Sequence, residues 1–425
     1  MLDIKLIREN PDVVRRDLEK RGKPEKLALL DELLKRDKEW RRLLTEVNNL
    51  RHRHNIVTAQ IAEKKKKGED ASKEILEAKQ IPMEIKELEA KVEEDKARIN
   101  QILLNLPNIL HESVPFGKDE TDNVVLRVYG KPPKFDFEPK NHLEVALNLG
   151  LVDEERAGKV AGRGFVYLKK ELVLLDYAIM RYAMDFLVGK EYVLLEPPFM
   201  IRREPYEGVV EMADFENVMY KIEDEDLYLI ATSEHSIASM YMDEVINRED
   251  LPIKLVGVSP CFRKEVGTHG KYTKGLFRMH QFNKVEQFVF CHPEQSWELF
   301  EEIQRNAEEL YQALGLHYRV IEICSGDMGL LKAKQYDTEV WMADGQFREI
   351  GSNSNCTDYQ ARRLNIRFRE KEGQASAGFV HTSNNTALAT SRTMMAILEQ
   401  YQQKDGSVVI PKVLRPYMNG MERIG

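Results

Sequence analysis

Large residues return at steps of three and four from Trp40 through Leu43, Val47, Leu50, His54, Val57 and Ile61. That spacing is a heptad seam, and it predicts a long supercoiling helix. No proline falls between residues 26 and 67, and a helix of that length extends on the order of 60 Å. The stretch KKKKGEDAS breaks the pattern, with Gly68 as the turn residue. A second seam then runs Ile81, Ile85, Leu88, Val92, Asp95, Ile99, Ile102 and Leu106. Two seams of similar length around a short loop predict an antiparallel coiled-coil hairpin, each helix burying its stripe against the other. His54 and Asp95 are polar at seam positions. Pro82 lacks an N–H, so the regular part of the second helix is expected to begin near Met83.

After Pro107 the pattern changes. LPNILHESVPFGKDETDNVVLRVYG is rich in turn residues, has no helical period, and reads as a linker. An apolar helix is expected at about 172–188, followed by a strand in EYVLLEPPF. Short β-rich runs follow: VMYKI, LYLIAT, KLVGVSPCF, QFVFC, YRVIEI, REIGSNS and SVVIP. Amphipathic helices are expected at about 294–314 and 387–402. Strands joined by turns rather than helices argue against a doubly wound parallel sheet. The expected class is α+β: a helical arm over residues 1–106, then a body over 107–425 with an antiparallel sheet flanked by helices. Neither a G-x-x-x-x-G-K-[ST] loop nor a G-x-G-x-x-G turn is present, so any nucleotide is held by other means.

Composition narrows the setting. Cys261, Cys291, Cys324 and Cys356 form no C-x-x-C pair, so neither a zinc knuckle nor a disulfide framework is expected. The first residues carry no apolar signal core, and no run approaches membrane-span length; a cytoplasmic, membrane-free protein is expected. The net charge of -8 hides an asymmetry, because residues 1–106 hold 25 Lys/Arg against 22 Asp/Glu. Arg41, Arg42, Arg51, Arg53, Lys64, Lys65, Lys66 and Lys67 crowd one stretch that contains only Glu46 and Glu63 as acids. A lone lysine run is usually a solvated loop. At the tip of a rigid arm it can instead reach a phosphate backbone.

The densest chemistry lies in CFRKEVGTHGKYTKGLFRMHQFNKVEQF, residues 261–288, which reads as a strand, a glycine-broken loop and a return strand. Arg263 and Glu265 are two apart and expected on one strand face; Arg278, Phe282 and Glu286 are evenly spaced on the other strand. Arginine forks suit phosphate oxygens, and Phe282 offers a stacking face. A solvent-exposed charged hairpin would show the same spacing.

This segment resembles the second signature motif of class II aminoacyl-tRNA synthetases in its seryl form. EYVLLEPPFM is similar to the first motif, and HTSNNTALATSRTMMAILEQYQ to the third. LIATSEH, EIGSNSNCTDYQARRLNIRFR, LPNILHESVP with DETDNV, and SVVIPKVLRPYM also resemble that family, so the likeness covers essentially the whole chain. It implies activation of serine with ATP and transfer to tRNA(Ser), with tRNA(Sec) left open as a second acceptor. The TSEH stretch leans toward an archaeal-like form of the common seryl type. The zinc-dependent form uses a cysteine ligand, and Cys261 and Cys356 fall inside other motifs, so ATP and Mg²⁺ are expected and zinc is not.

Residue roles follow from the resemblance. Thr232, Ser233, Glu234, Glu286 and Thr386 would hold serine, with Arg263 shared with ATP. Arg263 would meet the α-phosphate, Glu265 the adenine edge and Arg278 the outer phosphates. Phe282 and Arg392 would sandwich the adenine. Lys264, Met279, Ile350 and Gly351 complete the ATP contacts, and Glu349 with Ser352 would carry Mg²⁺. Arg263, Glu265 and Arg392 form the implied catalytic set. Thr386 alternatively reads as an N-cap for a helix beginning at Ala387. Arg51, Arg53, Lys64, Lys65, Lys66 and Lys67 would meet tRNA, and the first motif implies a homodimer. Asn353, Ser383 and Asn385 depart from the residues frequent in the family. The rival readings are a carrier-protein ligase, whose relatives lack the arm; a catalytically dead scaffold, which predicts loss of Arg263, Glu265, Glu349 or Arg392; and the same fold with another amino acid, which Thr232 and Glu286 disfavour.

Overall fold

Both seams fold as expected, into a pair of long helices, Glu25–Lys67 and Ser72–Asn105. The computed structural model describes residues 1–211, 218–265 and 276–425. Contacts divide the chain into two units, Leu2–Pro107 and a second holding Met1 with Asn108–Gly425. In the first, the short helices Ile4–Glu9 and Pro11–Lys20 precede the hairpin. Leu43, Val47 and Val92 are buried between the long helices, with Trp40, Ile85 and Leu88 packed around them. Each such side chain contributes roughly 1.5–3 kcal/mol when fully buried. Asp95 is tolerated on its seam because Arg36 Nη1 donates to it at 2.7 Å. Arg98 grips Glu32 with two nitrogens, at 2.8 and 2.6 Å, and Arg36 Nε reaches the same carboxylate at 2.8 Å. Those guanidinium groups lower the Glu32 carboxyl to about 2. Gly68 caps the first helix at φ 73°, where its amide donates to the Lys64 and Lys65 carbonyls.

The second helix does not wait for Met83; it begins at Ser72 and runs through Pro82. Pro82 is exposed while Ile81 is buried on the seam, so the proline ring points to solvent and the seam passes it intact.

An eight-stranded sheet organises the second unit. In chain order its strands are β1 (Val124–Tyr129), β2 (Val193–Leu195), β3 (Ile253–Phe262), β4 (Gln281–Cys291), β5 (Tyr318–Glu322), β6 (Lys334–Trp341), β7 (Phe347–Thr357) and β8 (His381–Ala389). Their spatial order is β1-β5-β6-β7-β8-β4-β3-β2. Every pairing is antiparallel except that of β2 with β3. The α+β expectation therefore holds.

Several local expectations do not. The expected linker ends in β1, an edge strand whose six residues are all exposed. VMYKI forms only an isolated bridge, Lys221 to Tyr228. The last large helix is Thr390–Gln400 rather than 387–402, because residues 381–389 pair with both β4 and β7. Thr386 consequently sits inside β8 and caps no helix.

Strand β4 shows how the sheet separates its faces. Val285, Val289 and Cys291 join the core beneath the helices Glu171–Val188, Ser296–Ala313 and Thr390–Gln400. Phe288 and Phe290 join a second core that includes Tyr206, Ile230, Ile237 and Leu364 on the opposite face. The helix-side core also contains a polar row. Asn385 Nδ2 donates to the Ile303 carbonyl at 2.8 Å and Gln287 Nε2 to the same carbonyl at 3.0 Å. Asn353 Nδ2 donates to the Phe300 carbonyl at 3.0 Å, and Asn355 Nδ2 to Ser296 Oγ at 2.8 Å. Asn353 and Asn385 face each other across β7 and β8, which accounts for two of the three departures from family-typical residues. Asn385→Ala is expected to cost about 1–2 kcal/mol through the lost buried hydrogen bond, read as a lower guanidinium midpoint at unchanged slope. No helix among the described residues is long and apolar enough to cross a membrane.

Candidate active site

The site builds on the sheet face opposite the polar row. Glu286 and Thr386 are direct partners in the β4–β8 register, with Asn384 two residues along β8 on the same face. Thr386 Oγ1 donates to Glu286 Oε2 at 3.2 Å, and Asn384 Nδ2 donates to Glu286 Oε1 at 3.0 Å. The same Asn384 nitrogen reaches Glu234 Oε2, also at 3.0 Å. One amide thus joins two carboxylates that lie 52 positions apart in sequence. Lys284 Nζ lies 2.5 Å from Glu286 Oε2, and both side chains are buried. Glu234 has no ion pair among the described residues; burial, then Glu286, pushes its carboxyl above the usual range. Lys284 and Asn384 are not singled out by the sequence motifs. The even spacing of Lys284 with Phe282 and Glu286 was an available signal; Asn384 offered none.

Glu234 is positioned by the short helix Ser233–Ala238. Thr232 caps it, its Oγ1 accepting from the Glu234 amide at 3.2 Å. Ser233 packs against β3 at Gly257, the register partner of Glu286. A side chain at Gly257 would meet Ser233 Oγ at 2.9 Å, so the close packing of helix on strand depends on that glycine.

Arg263 and Glu265 do not share a strand face. Strand β3 ends at Phe262, and Glu265 takes a positive φ of 47°. Arg263 stays tied to the return strand's entry by its amide, which donates to the His280 carbonyl at 3.0 Å. Its Nε donates to the Ala231 carbonyl at 3.2 Å, and its guanidinium lies 5.3 Å from the Phe282 ring centre. Arg278 precedes β4 and pairs with Glu265 at 3.1 Å. Phe282 and Glu286 do share a face of β4. Residues 266–275, expected as a glycine-broken loop, lie outside the described residues. Lys264 Nζ sits 5.9 Å from the Tyr220 ring centre, and Met279 is buried.

Arg392, near the start of its helix, donates to the Glu349 carbonyl at 2.8 Å and lies 3.2 Å from its carboxylate. It stacks at 5.1 Å over Phe277, so in this arrangement Arg263 covers Phe282 and Arg392 covers Phe277. One cavity is lined by Arg263, Glu265, Phe282, Lys284, Glu349, Thr386 and Arg392; of the residues expected at serine, Arg263 and Thr386 line it and Thr232, Ser233, Glu234 and Glu286 do not.

Glu349 and Ser352 are three apart and would face opposite sides of a regular strand. A bulge corrects this: Glu349 pairs with Glu339 but Gly351 with Thr338, leaving Ile350, buried, unpaired. Glu349 and Ser352 therefore share a face with Asp337, the register partner of Ser352. Arg392 lowers the Glu349 carboxyl, while burial and Glu349 push Asp337 up to about 7. Two carboxylates and a hydroxyl on one face are hard oxygen donors and fit Mg²⁺.

The basic residues of the arm are largely engaged. Arg51 contacts Glu89 and Arg53 contacts Glu77, both at 2.6 Å; Lys64 contacts Glu74 at 2.7 Å and Lys67 contacts Glu63 at 2.5 Å. The second helix thus supplies acids that the local count around residues 41–67 omits. Among the described residues, Lys65 and Lys66 carry no ion pair and are exposed.

Two family models match parts of the chain. Residues 1–110 match the seryl-tRNA synthetase N-terminal domain, and residues 219–401 match the class II tRNA synthetase core domain (G, H, P, S and T). A serine–tRNA ligase of Methanospirillum hungatei is 56% identical over 99% of this chain and 100% of its own. The crystal structure of seryl-tRNA synthetase from Pyrococcus horikoshii complexed with ATP superposes with a TM-score of 0.96 at 51% identity, covering 100% of this chain and 99% of that one. The cytoplasmic serine–tRNA ligase of Naegleria fowleri in complex with AMP gives 0.90 at 34% identity, covering 100% and 98%.

Proposed function

The chain belongs to the seryl-tRNA synthetase family, and from that premise we propose how its residues divide the work. It is a serine–tRNA ligase: serine and ATP give seryl adenylate and pyrophosphate, and the seryl group passes to tRNA. Residues 107–425 carry the chemistry, and residues 1–106 bind tRNA.

The observation that carries the serine reading is the pair Glu234 and Glu286, joined by Asn384, with only Glu286 already neutralised by Lys284. A substrate ammonium supplies the missing positive charge beside Glu234. Thr386 and Glu286 can exchange hydrogen bonds with the substrate hydroxyl. Alanine would leave those buried groups unpaired, which is how such a site rejects it.

Arg263 faces the same cavity and meets the α-phosphate. Its charge stabilises the phosphorus centre as the serine carboxylate attacks and pyrophosphate departs in line. No side chain acts as a nucleophile. Glu265 reads the adenine edge and Arg278 the outer phosphates, which requires their mutual contact at 3.1 Å to open. Phe282 and Arg392 hold the adenine between them, with Lys264, Met279, Ile350 and Gly351 around it. Glu349, Ser352 and Asp337 would hold Mg²⁺, which supplies charge neutralisation at the phosphates when bound. In the second step a terminal ribose hydroxyl of tRNA attacks the adenylate.

The homodimer reading has its own support. Tyr177 and Val188 on the helix Glu171–Val188, and Val193 and Leu194 on edge strand β2, are exposed apolar residues on consecutive elements. A two-fold contact would cover them.

ATP–pyrophosphate exchange with each of the twenty amino acids, followed by charging of total tRNA, tests the reading. Serine alone is expected to support exchange, and Glu286→Ala is expected to raise the serine KM at least about tenfold through loss of a charged hydrogen-bond acceptor. Exchange with serine but no charged tRNA would point to a carrier ligase instead.

A further inference from the structure

Behind the serine site lies a second layer of side chains. Gln360, in the helix Tyr359–Leu364, donates from Nε2 to Glu234 Oε1 at 3.0 Å. Its own Oε1 accepts from Thr382 Oγ1 at 2.6 Å. Gln360 and Thr382 are each 1% exposed. The ionised Glu234 only accepts, so it takes the nitrogen end of the Gln360 amide, and the Thr382 hydroxyl supports that orientation by donating to the oxygen end. Glu234 then receives N–H donors on both oxygens, Gln360 on one and Asn384 on the other. Both donors favour the charged carboxylate over the protonated acid. The pair therefore opposes the effect of burial, which favours the uncharged acid.

We propose that Gln360, oriented by Thr382, is a positioning residue that holds Glu234 as an ionised acceptor for the substrate ammonium and so sets the affinity for serine. The inference rests on the serine reading above. The ionisable groups acting on Glu234 are Glu286, Lys284 and Lys332, and Cys356 is coupled to it from β7. None of these is removed by changing Gln360.

Three variants separate this role from simple packing. Gln360→Leu removes the donor; its serine KM is expected to rise about tenfold or more, with the ATP KM unchanged. The rise should be largest in acid and shrink as pH increases from about 5.5 to 8, since Glu234 then ionises without help. Gln360→Glu keeps the shape but donates only while protonated, so its serine KM should be lowest in acid and rise toward neutral pH. Thr382→Val, which frees the amide to flip, should repeat the Gln360→Leu pattern more weakly. The measurement is serine-dependent ATP–pyrophosphate exchange across pH, beside the wild type and with circular dichroism to establish folding. Opposite pH trends for the first two variants would support the role. Parallel trends matching the wild type, with wild-type exchange intact, would overturn it alone. Absence of serine-dependent exchange in the wild type would overturn the serine reading together with it.

Discussion

Arg263→Ala is expected to lower serine-dependent ATP–pyrophosphate exchange about 100-fold or more, the loss typical of a donor aimed at developing charge. Three features make Arg263 the arginine on which step one depends. Its backbone is locked to the start of β4 through the His280 carbonyl, and its Nε is locked to the Ala231 carbonyl beside the serine-binding helix. Those ties leave the terminal nitrogens directed at the cavity, and no carboxylate among the described residues lies within ion-pair distance of them. Arg278, by contrast, is already paired with Glu265. Lysine at 263 should recover only part of the rate, because a point charge cannot reproduce a planar fork. A near-normal exchange rate in the alanine variant would refute the role; a folded protein with slow exchange would support it.

Removing residues 43–88 should abolish tRNA charging while leaving adenylate formation close to normal. The geometry makes this excision clean. Leu43 and Leu88 belong to one packed cluster between the helices, so the cut ends meet across the hairpin. Below the cut, Glu32, Arg36, Asp95 and Arg98 still tie the two stumps together. The excised part contains all six basic residues assigned to tRNA and none of the cavity residues of the catalytic unit. Exchange and charging assayed on one preparation decide the matter. Equal loss of both activities would mean that the arm is needed for the catalytic fold, and the division of labour would fall.

The arm was legible because its pattern is local and periodic: a seam repeated over many turns names its own partner. Even there, the acids facing Arg51, Arg53 and Lys64 were invisible, since they sit on the other helix at positions fixed by the hairpin register. In the body most of the expected β-rich runs became strands, but apolar β1 was read as part of a linker and polar β8 was missed. Strand β8, HTSNNTALA, is nearly all buried yet largely polar, because one face bonds a helix backbone and the other builds the site. No apolar period can mark such a strand. Spacing placed Phe282 and Glu286 on one face but misplaced Arg263, Glu265 and Arg278, and Asn384 and Gln360 act on a carboxylate more than a hundred positions away. Only the fold brings them together. The bulge at Ile350 is a further example: the resemblance named Glu349 and Ser352, but their common face depends on one unpaired residue.

The paired charges of the arm bear on how tightly an RNA would respond to ionic strength. Binding to free cationic side chains releases condensed counterions, and affinity falls steeply with added salt in proportion to their number. Here four of the six basic residues already have a glutamate as counterion, built into the hairpin itself. A phosphate arriving at Arg51, Arg53, Lys64 or Lys67 exchanges with that fixed carboxylate, which stays tethered nearby. Lys65 and Lys66 would then account for most of the salt dependence, and the arm would favour a backbone of matching contour over any nearby polyanion.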